Sequence, residues 1–178
     1  MINKAYFYDD YDNYYYARIS INESLLNITA HNDNGDEVGH IEIMIGDRLI
    51  LNEIICGKEY KQMGIGTALI DIFEYLCRDY TGIVYGMYVP LNTALSVVEN
   101  DQITRAFYQK NGYQVVSRTE FKENPNLYPG LSLEDFNTSS RIYNHSIIYK
   151  QSLKKDEYRF KESNNELVED NKVKVLNW

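Results

Sequence analysis

Two glycines one residue apart, Gly64 and Gly66, lie between an apolar run and the start of an amphipathic pattern. The run, residues 49–56, is broken only by Asn52 and Glu53 and reads as a strand, expected at the centre of a sheet and buried on both faces. After it, Ile65, Leu69, Ile72, Phe73 and Leu76 recur at helical spacing. A strand that enters a helix through such a turn aims the helix's first N–H groups, and the positive end of its dipole, at one point. That arrangement binds phosphate. Gly64 and Gly66 put no Cβ between a ligand and the backbone, Thr67 adds a hydroxyl, and Lys61 sets a cation at the rim. A Gly-x-Gly turn on its own equally describes a tight strand–helix connection that holds nothing. A nucleotide-binding P-loop is excluded, since no Gly-Lys-Ser/Thr follows, and the third glycine of a dinucleotide fingerprint is missing.

The elements around this turn read as an α/β chain with a mixed sheet. Tyrosine is the compositional outlier at 17 of 178 residues. It is concentrated before position 17, as in Tyr14-Tyr15-Tyr16, and predicts an aromatic strand or flap. Strands are expected over 14–21 and 25–30, then a turn at Asn32-Asp33-Asn34-Gly35-Asp36 and an alternating strand over 38–45. The helix that opens at Ile65 is expected to end near residues 79–82. A strand over 83–89 follows, then an irregular or weakly helical stretch at 91–100. A second helix over 101–110 is expected with Ile103, Phe107 and Thr104 inward, closed by Asn111-Gly112. Strands over 113–117 and 147–149 flank a long loop at 122–142. Residues 1–150 read as one domain and 151–178 as a charged extension with a candidate terminal strand at 172–175.

The formal net charge is −8. An acidic surface without a basic stripe argues against nucleic acid as a partner and favours a cationic substrate by steering. No apolar run approaches the length needed to span a bilayer, so no membrane role is expected. Residues 1–4 lead into no apolar leader segment, and Cys56 and Cys77 are too few for a disulfide framework; the expected location is cytoplasmic. His31, His40 and His145 show no metal-ligand spacing, and no metal is expected.

The segment Ile54-Ile55-Cys56-Gly57-Lys58-Glu59-Tyr60-Lys61-Gln62-Met63-Gly64-Ile65-Gly66-Thr67-Ala68-Leu69-Ile70 resembles the acetyl-CoA-binding motif of the GNAT N-acetyltransferase superfamily: a strand, Arg/Gln-x-x-Gly-x-Gly/Ala, then a helix. A second stretch, Asp101-Gln102-Ile103-Thr104-Arg105-Ala106-Phe107-Tyr108-Gln109-Lys110-Asn111-Gly112-Tyr113, is similar to the family's Asn-x-x-Ala-x-x-x-Tyr-x-x-x-Gly-Phe. The resemblance implies a GNAT-like, mostly antiparallel central sheet flanked by helices, with the family's N-terminal helices reduced because residues 1–31 read as β. Lys61 stands where Arg or Gln is usual, keeping charge without the bidentate fork. Asp101 replaces Asn, and Thr104 replaces Ala.

As the resemblance implies, acetyl-CoA is the co-substrate. It is held by Ile54, Ile55, Cys56, Lys61, Gln62, Met63, Gly64, Ile65, Gly66 and Thr67, and by Asp101, Arg105 and Tyr108. The acetyl group passes directly to a primary amine on a small molecule or a protein. A backbone N–H near residues 54–56 polarises the acetyl oxygen. Glu53 is the candidate base, through a water, with Glu42, His40 and Asn52 behind it; Tyr108 stands at the family's general-acid position. Cys56 has no adjacent activating residue and is a poor nucleophile candidate. Dimerisation is common in the family, and the tyrosine-rich N-terminus is a candidate homodimer surface. The competing reading is a non-catalytic acetyl-CoA-binding sensor or interaction module on the same fold.

Overall fold

Apolar residues alternate along the first four strands so that one side of each is apolar, and the fifth is a near-continuous apolar run. The computed structural model, which describes residues 3–89, 91, 95–137 and 142–153, pairs those strands in sequence. They are β1 (Asn3–Tyr8), β2 (Tyr14–Asn22), β3 (Leu25–His31), β4 (Glu37–Ile45) and β5 (Leu49–Cys56). The pairings β1–β2, β2–β3 and β3–β4 are antiparallel. Their registers align the inward residues in rows: Ala5, Ala17, Ala30 and Gly39 form one, Ile19, Ile28 and Ile41 the next, then Ile21, Leu26 and Ile43. A one-residue slip would turn these rows to water, so burial fixes the register. Against β3 and β4 packs α1 (Ile65–Leu76). This helix is buried on nearly every side, Asp71 and Glu74 included, rather than half wet as its spacing suggests.

The chain falls into two compact units. The first holds β1 to β4, most of β5 and α1; the second holds residues 48–50 and 82–152. In the second, β8 (Ile147–Lys150) pairs antiparallel with both β6 (Val84–Met87) and β7 (Gln114–Val116). The Leu49 N–H donates to Ile83 O at 3.1 Å. The helices are α2 (Val97–Lys110) and α3 (Arg118–Glu123). Among the described residues, Ile83, Val116, Phe121, Phe136, Ile147 and Tyr149 form one buried apolar cluster of this unit.

Several sequence expectations hold: strands over 14–21, 25–30 and 38–45, the aromatic N-terminal strand, and the Asn34-Gly35 turn with Gly35 at φ +84°. Others are corrected. β5 is not buried on both faces: Leu49 and Leu51 are inward, but Asn52, Glu53 and Ile55 are exposed. α1 stops at Leu76, not near residues 79–82. α2 begins at Val97, four residues before the expected start, because Ser96 and Glu99 close a reciprocal capping box. Its inward stripe is Asn100, Thr104 and Tyr108; Ile103 and Phe107 are half-buried. The long loop is partly ordered by a second box, Ser117 with Glu120, which starts α3. Two short 3-10 turns follow, and Phe121 stacks on Phe136 at 4.9 Å between centroids. The candidate strand at 172–175 lies outside the described residues.

One polar anchor fastens that loop. Arg48 donates to both carboxylate oxygens of Asp135, at 2.7 and 3.0 Å, and to Gly130 O at 3.2 Å, while its guanidinium lies 4.4 Å from the Tyr85 ring centroid. Burial alone would raise the Asp135 carboxyl, but the Arg48 bonds and the Ser132 N–H outweigh it, and its pKa is lowered. A lowered carboxyl pKa contributes stability above the ordinary value and loses it as pH falls through the folded value. Asp135→Asn is therefore expected to lose about 1–2 kcal/mol at pH 7, the range for a charge-assisted bond discounted for solvent screening. In urea titrations the gap between the two proteins should close below about pH 4, near the ordinary carboxyl range.

Candidate active site

The turn between β5 and α1 is built from left-handed residues. A 3-10 turn at Lys58–Tyr60 leads to Gln62 at φ +61° and Gly64 at φ +90°. Gly64 is the N-cap of α1 and supplies no side-chain cap; the first helical bond runs from Ala68 N–H to Gly64 O at 3.0 Å. Only glycine adopts that φ without strain. The Cys56 thiol sits against the same helix end, accepting from Gly66 N–H with Lys61 as a nearby cation. Burial still pushes the thiol up to about 11, so it stays protonated near neutrality and is a poor nucleophile.

The hairpin turn between β1 and β2 holds this loop from outside. Asp9, only 4% exposed, accepts from the N–H groups of Tyr11 and Asn13, the Asn13 amide and the Tyr15 hydroxyl, at 2.8–2.9 Å. Burial raises its carboxyl, but these four bonds overcome that and lower it. With Asp9 fixed, the Asp10 N–H donates to Met63 O at 2.8 Å, inside the glycine turn. Tyr15 meets Tyr60 edge-on at 6.3 Å. Sequence reading missed this brace; Asp9 and Asn13 before the tyrosine run were its signal, since such residues fold back on local N–H groups.

β4 and β5 meet out of step. The Gly57 N–H donates to Val38 O at 2.8 Å, and the Asn52 amide donates to Glu42 Oε1 at 3.1 Å. From Asn52 to Gly57 is five steps, while from Val38 to Glu42 is four. Asn52 and Glu53 are both exposed beside buried Leu51, where a regular strand would turn one of them inward, so the extra residue reads as a β-bulge. Consecutive residues then share the outer face, and Glu53 reaches His40, two residues from Glu42 on β4: Glu53 Oε1 lies 2.6 Å from His40 Nε2. His40 Nδ1 lies 3.2 Å from Glu37 Oε1. Glu53 is 51% exposed and so free to meet a solute. Ile54 and Cys56 are half-buried beside it, and Ile55 is exposed.

In the second unit α2 carries the other expected residues. Tyr108 is 2% exposed, with its ring among those of Phe107, Tyr113 and Tyr88 at 5.2, 6.1 and 6.3 Å. Burial raises its phenol, which stays protonated. Asp101 is engaged locally: the Tyr88 hydroxyl donates to its Oδ1 at 2.8 Å, Arg105 lies 3.6 Å away, and the guanidinium is 5.5 Å from the Tyr88 ring centroid. Tyr88 thus joins the set, and nothing in its spacing marked it. A cleft of about 640 Å³ runs past Val97, Val98, Asp101, Arg105, Ile142 and Tyr143. The structure thus gathers Glu53 and residues 54–67 in the first unit, and Asp101, Arg105 and Tyr108 in the second. Among the described residues no cluster of His, Cys, Asp and Glu could hold a metal, and no helix is long and apolar enough to cross a membrane.

The sequence profile of the family described as Acetyltransferase (GNAT) domain matches residues 26–115. Among solved structures the chain is similar to a GNAT-family acetyltransferase from Staphylococcus aureus Mu50, at 19% identity over 73% of this chain and 69% of that one, with a TM-score of 0.48. The PaiA N-acetyltransferase of Thermoplasma acidophilum, solved with coenzyme A, is 18% identical over 72% and 61%, with a TM-score of 0.47. The ribosomal-protein-S18-alanine N-acetyltransferase of Escherichia coli is 15% identical over 77% and 74%, at 0.46. No curated protein sequence matches the chain significantly.

The Asp9 brace gives a test within the first unit. Asp9→Ala leaves the N–H groups of Tyr11 and Asn13 without their acceptor and frees the turn that holds Met63. It should cost about 1–3 kcal/mol, the penalty for orphaned buried donors. Hydrogen exchange at residues 61–66 should quicken together with that at the hairpin turn; slow exchange at 61–66 in the variant would refute the brace.

Proposed function

The chain belongs to the GNAT acetyltransferase family, with acetyl-CoA as its co-substrate, and from that premise we propose that it acetylates a primary amine by direct attack at the outer face of β5. The bulge carries this reading: it sets Glu53 on the open face, one residue before the backbone that enters the glycine turn.

The turn suits the coenzyme's pyrophosphate. Its donors are main-chain N–H groups at the start of a twelve-residue helix whose N-cap has no side chain. Lys61 would add charge at the rim. Bound acetyl-CoA supplies an acetyl group activated as a thioester. Every other requirement falls on the chain. The acceptor arrives as an ammonium, since alkyl amines titrate near 10. Glu53, directly or through a water, removes one proton and frees the nitrogen lone pair. Backbone N–H groups of residues 54–56 donate to the negative charge that develops on the acetyl oxygen. The new C–N bond forms as the C–S bond breaks. Tyr108, kept as a neutral phenol by burial, gives its proton to the departing sulfur. The second proton released by the nitrogen restores the phenol, so one proton leaves to solvent per turnover.

Acidic residues on the outer face, Glu37, Glu42 and Glu53, suit a cationic acceptor, whether a small amine or a protein amine. Both described cysteines are free thiols, which fits a reducing, cytoplasmic setting. One observation favours the second reading, a sensor that binds without turnover: Asp101 is already taken by Tyr88 and Arg105.

Two variants separate these readings. Glu53→Gln and Tyr108→Phe should each bind acetyl-CoA as the wild type does, while kcat for thiol release in the presence of amines falls about 10²-fold or more, the usual scale for an acid or base. A sensor would show equal, background thiol release in all three proteins.

A further inference from the structure

An exposed glutamate on a strand swings through many rotamers, whereas a base must be held to within a fraction of an ångström. Glu53 meets this requirement through its neighbour. We propose that His40 is a positioning residue for Glu53: its Nε2–H locks Oε1 of the base and leaves Oε2 to receive the amine's proton. This rests on the acetyltransferase reading above.

The bond geometry assigns the roles. His40 touches carboxylate oxygens with both ring nitrogens, at 2.6 Å to Glu53 and 3.2 Å to Glu37. Ionised carboxylates only accept, so when both contacts are made each nitrogen carries a hydrogen and the ring has no lone pair left for a substrate. His40 therefore cannot itself be the base in this arrangement. Glu53 can: one of its oxygens is engaged by the ring, and it stands 51% exposed. Glu37 completes the device from the other side by fixing the ring's rotation. The remaining groups that face His40 are Glu42, two residues along β4 and tied to Asn52, and Thr29, opposite it on β3; His31 lies opposite Glu37. The bulge is thus fastened to β4 at two successive residues, Asn52 through Glu42 and Glu53 through His40.

Two substitutions distinguish positioning from mere packing. Glutamine places its amide nitrogen about where Nε2 stands, and asparagine about where Nδ1 stands. His40→Gln keeps a donor for Glu53; His40→Asn keeps one only for Glu37. Acetyl-CoA binding is measured by calorimetry, and thiol release is followed against a panel of primary amines. All variants are expected to bind acetyl-CoA as the wild type does. His40→Gln should retain kcat within about threefold, whereas His40→Asn should lose about 10- to 100-fold in kcat with little change in amine KM, the scale for a base displaced by about 1 Å. In a Glu53→Gln background, His40→Asn should add no further loss, because residues that act as a unit are not additive.

Equal losses in the Gln and Asn variants, or a full additional loss in the Glu53→Gln background, would overturn the positioning role and leave the acetyltransferase reading intact. Wild-type activity in His40→Asn would do the same. Absence of acetyl-CoA binding to the wild type would bring down the acetyltransferase reading and this one together. Binding without thiol release by the wild type from any amine in the panel would remove the catalytic roles of both residues and keep only the coenzyme site.

Discussion

Between Val38 and Glu42 the fourth strand offers four steps, and the fifth strand answers with five. A pleated pair has no place for the extra residue, so β5 bows and two successive side chains emerge on one face. The consequences are all local and chemical. Leu51 is the last fully buried residue of the strand; Asn52, Glu53 and Ile55 are exposed, and Ile54 and Cys56 are half-buried. Asn52 and Glu53 each find a partner on β4. Opposite the far end of the bulge, β4 has Gly39, where an added Cβ would come within 2.8 Å of Ile55 O. The close approach of the two backbones therefore requires a residue without a side chain at that point. The bowed strand then runs into the turn where Gln62 and Gly64 take left-handed conformations.

This arrangement also explains how a chain of net charge −8 can hold a polyanionic coenzyme. Surface charge is screened over about 8 Å at physiological ionic strength, so what matters is the short-range set of donors. At the glycine turn proposed for it, those donors would be backbone N–H groups and Lys61, with an N-cap that brings no side chain of its own. The carboxylates Glu37, Glu42 and Glu53 stand instead on the outer face of β4 and β5, the face proposed for a cationic acceptor. The two proposed ligands make opposite electrostatic demands, and in this proposal neighbouring segments of the first unit would meet them separately.

Much of this was legible in the sequence because it rests on spacing. The period of two in 38–45 and the helical recurrence from Ile65 to Leu76 gave the elements, and the glycines between them marked the turn that joins β5 to α1. What escaped depended on side chains reaching across chain separations. The bulge leaves no composition signal: Asn52 and Glu53 look like interruptions of an apolar strand, and the expectation of burial on both faces followed from that. The early start of α2 and the existence of α3 were written in Ser96-x-x-Glu99 and Ser117-x-x-Glu120, two capping boxes that carry more weight than the weak apolar periodicity beside them. That weak periodicity placed Thr104 inward correctly but missed Asn100, which is buried and bonded to it at 3.3 Å, and put Ile103 and Phe107 deeper than they lie. The Asp10–Met63 contact and the Arg48–Asp135 anchor join residues that no window of sequence compares.

The account stands on the coenzyme binding at the turn between β5 and α1. Its most direct test is calorimetric titration of acetyl-CoA into the wild type and into Gly64→Glu, with circular dichroism to confirm that the variant keeps its helical content. The account predicts saturable one-to-one binding to the wild type and none to the variant, in which a carboxylate at the N-cap repels the pyrophosphate and occupies the helix N–H groups. Equal binding by the two proteins would contradict the placement of the site, and no binding by the wild type would contradict the account as a whole.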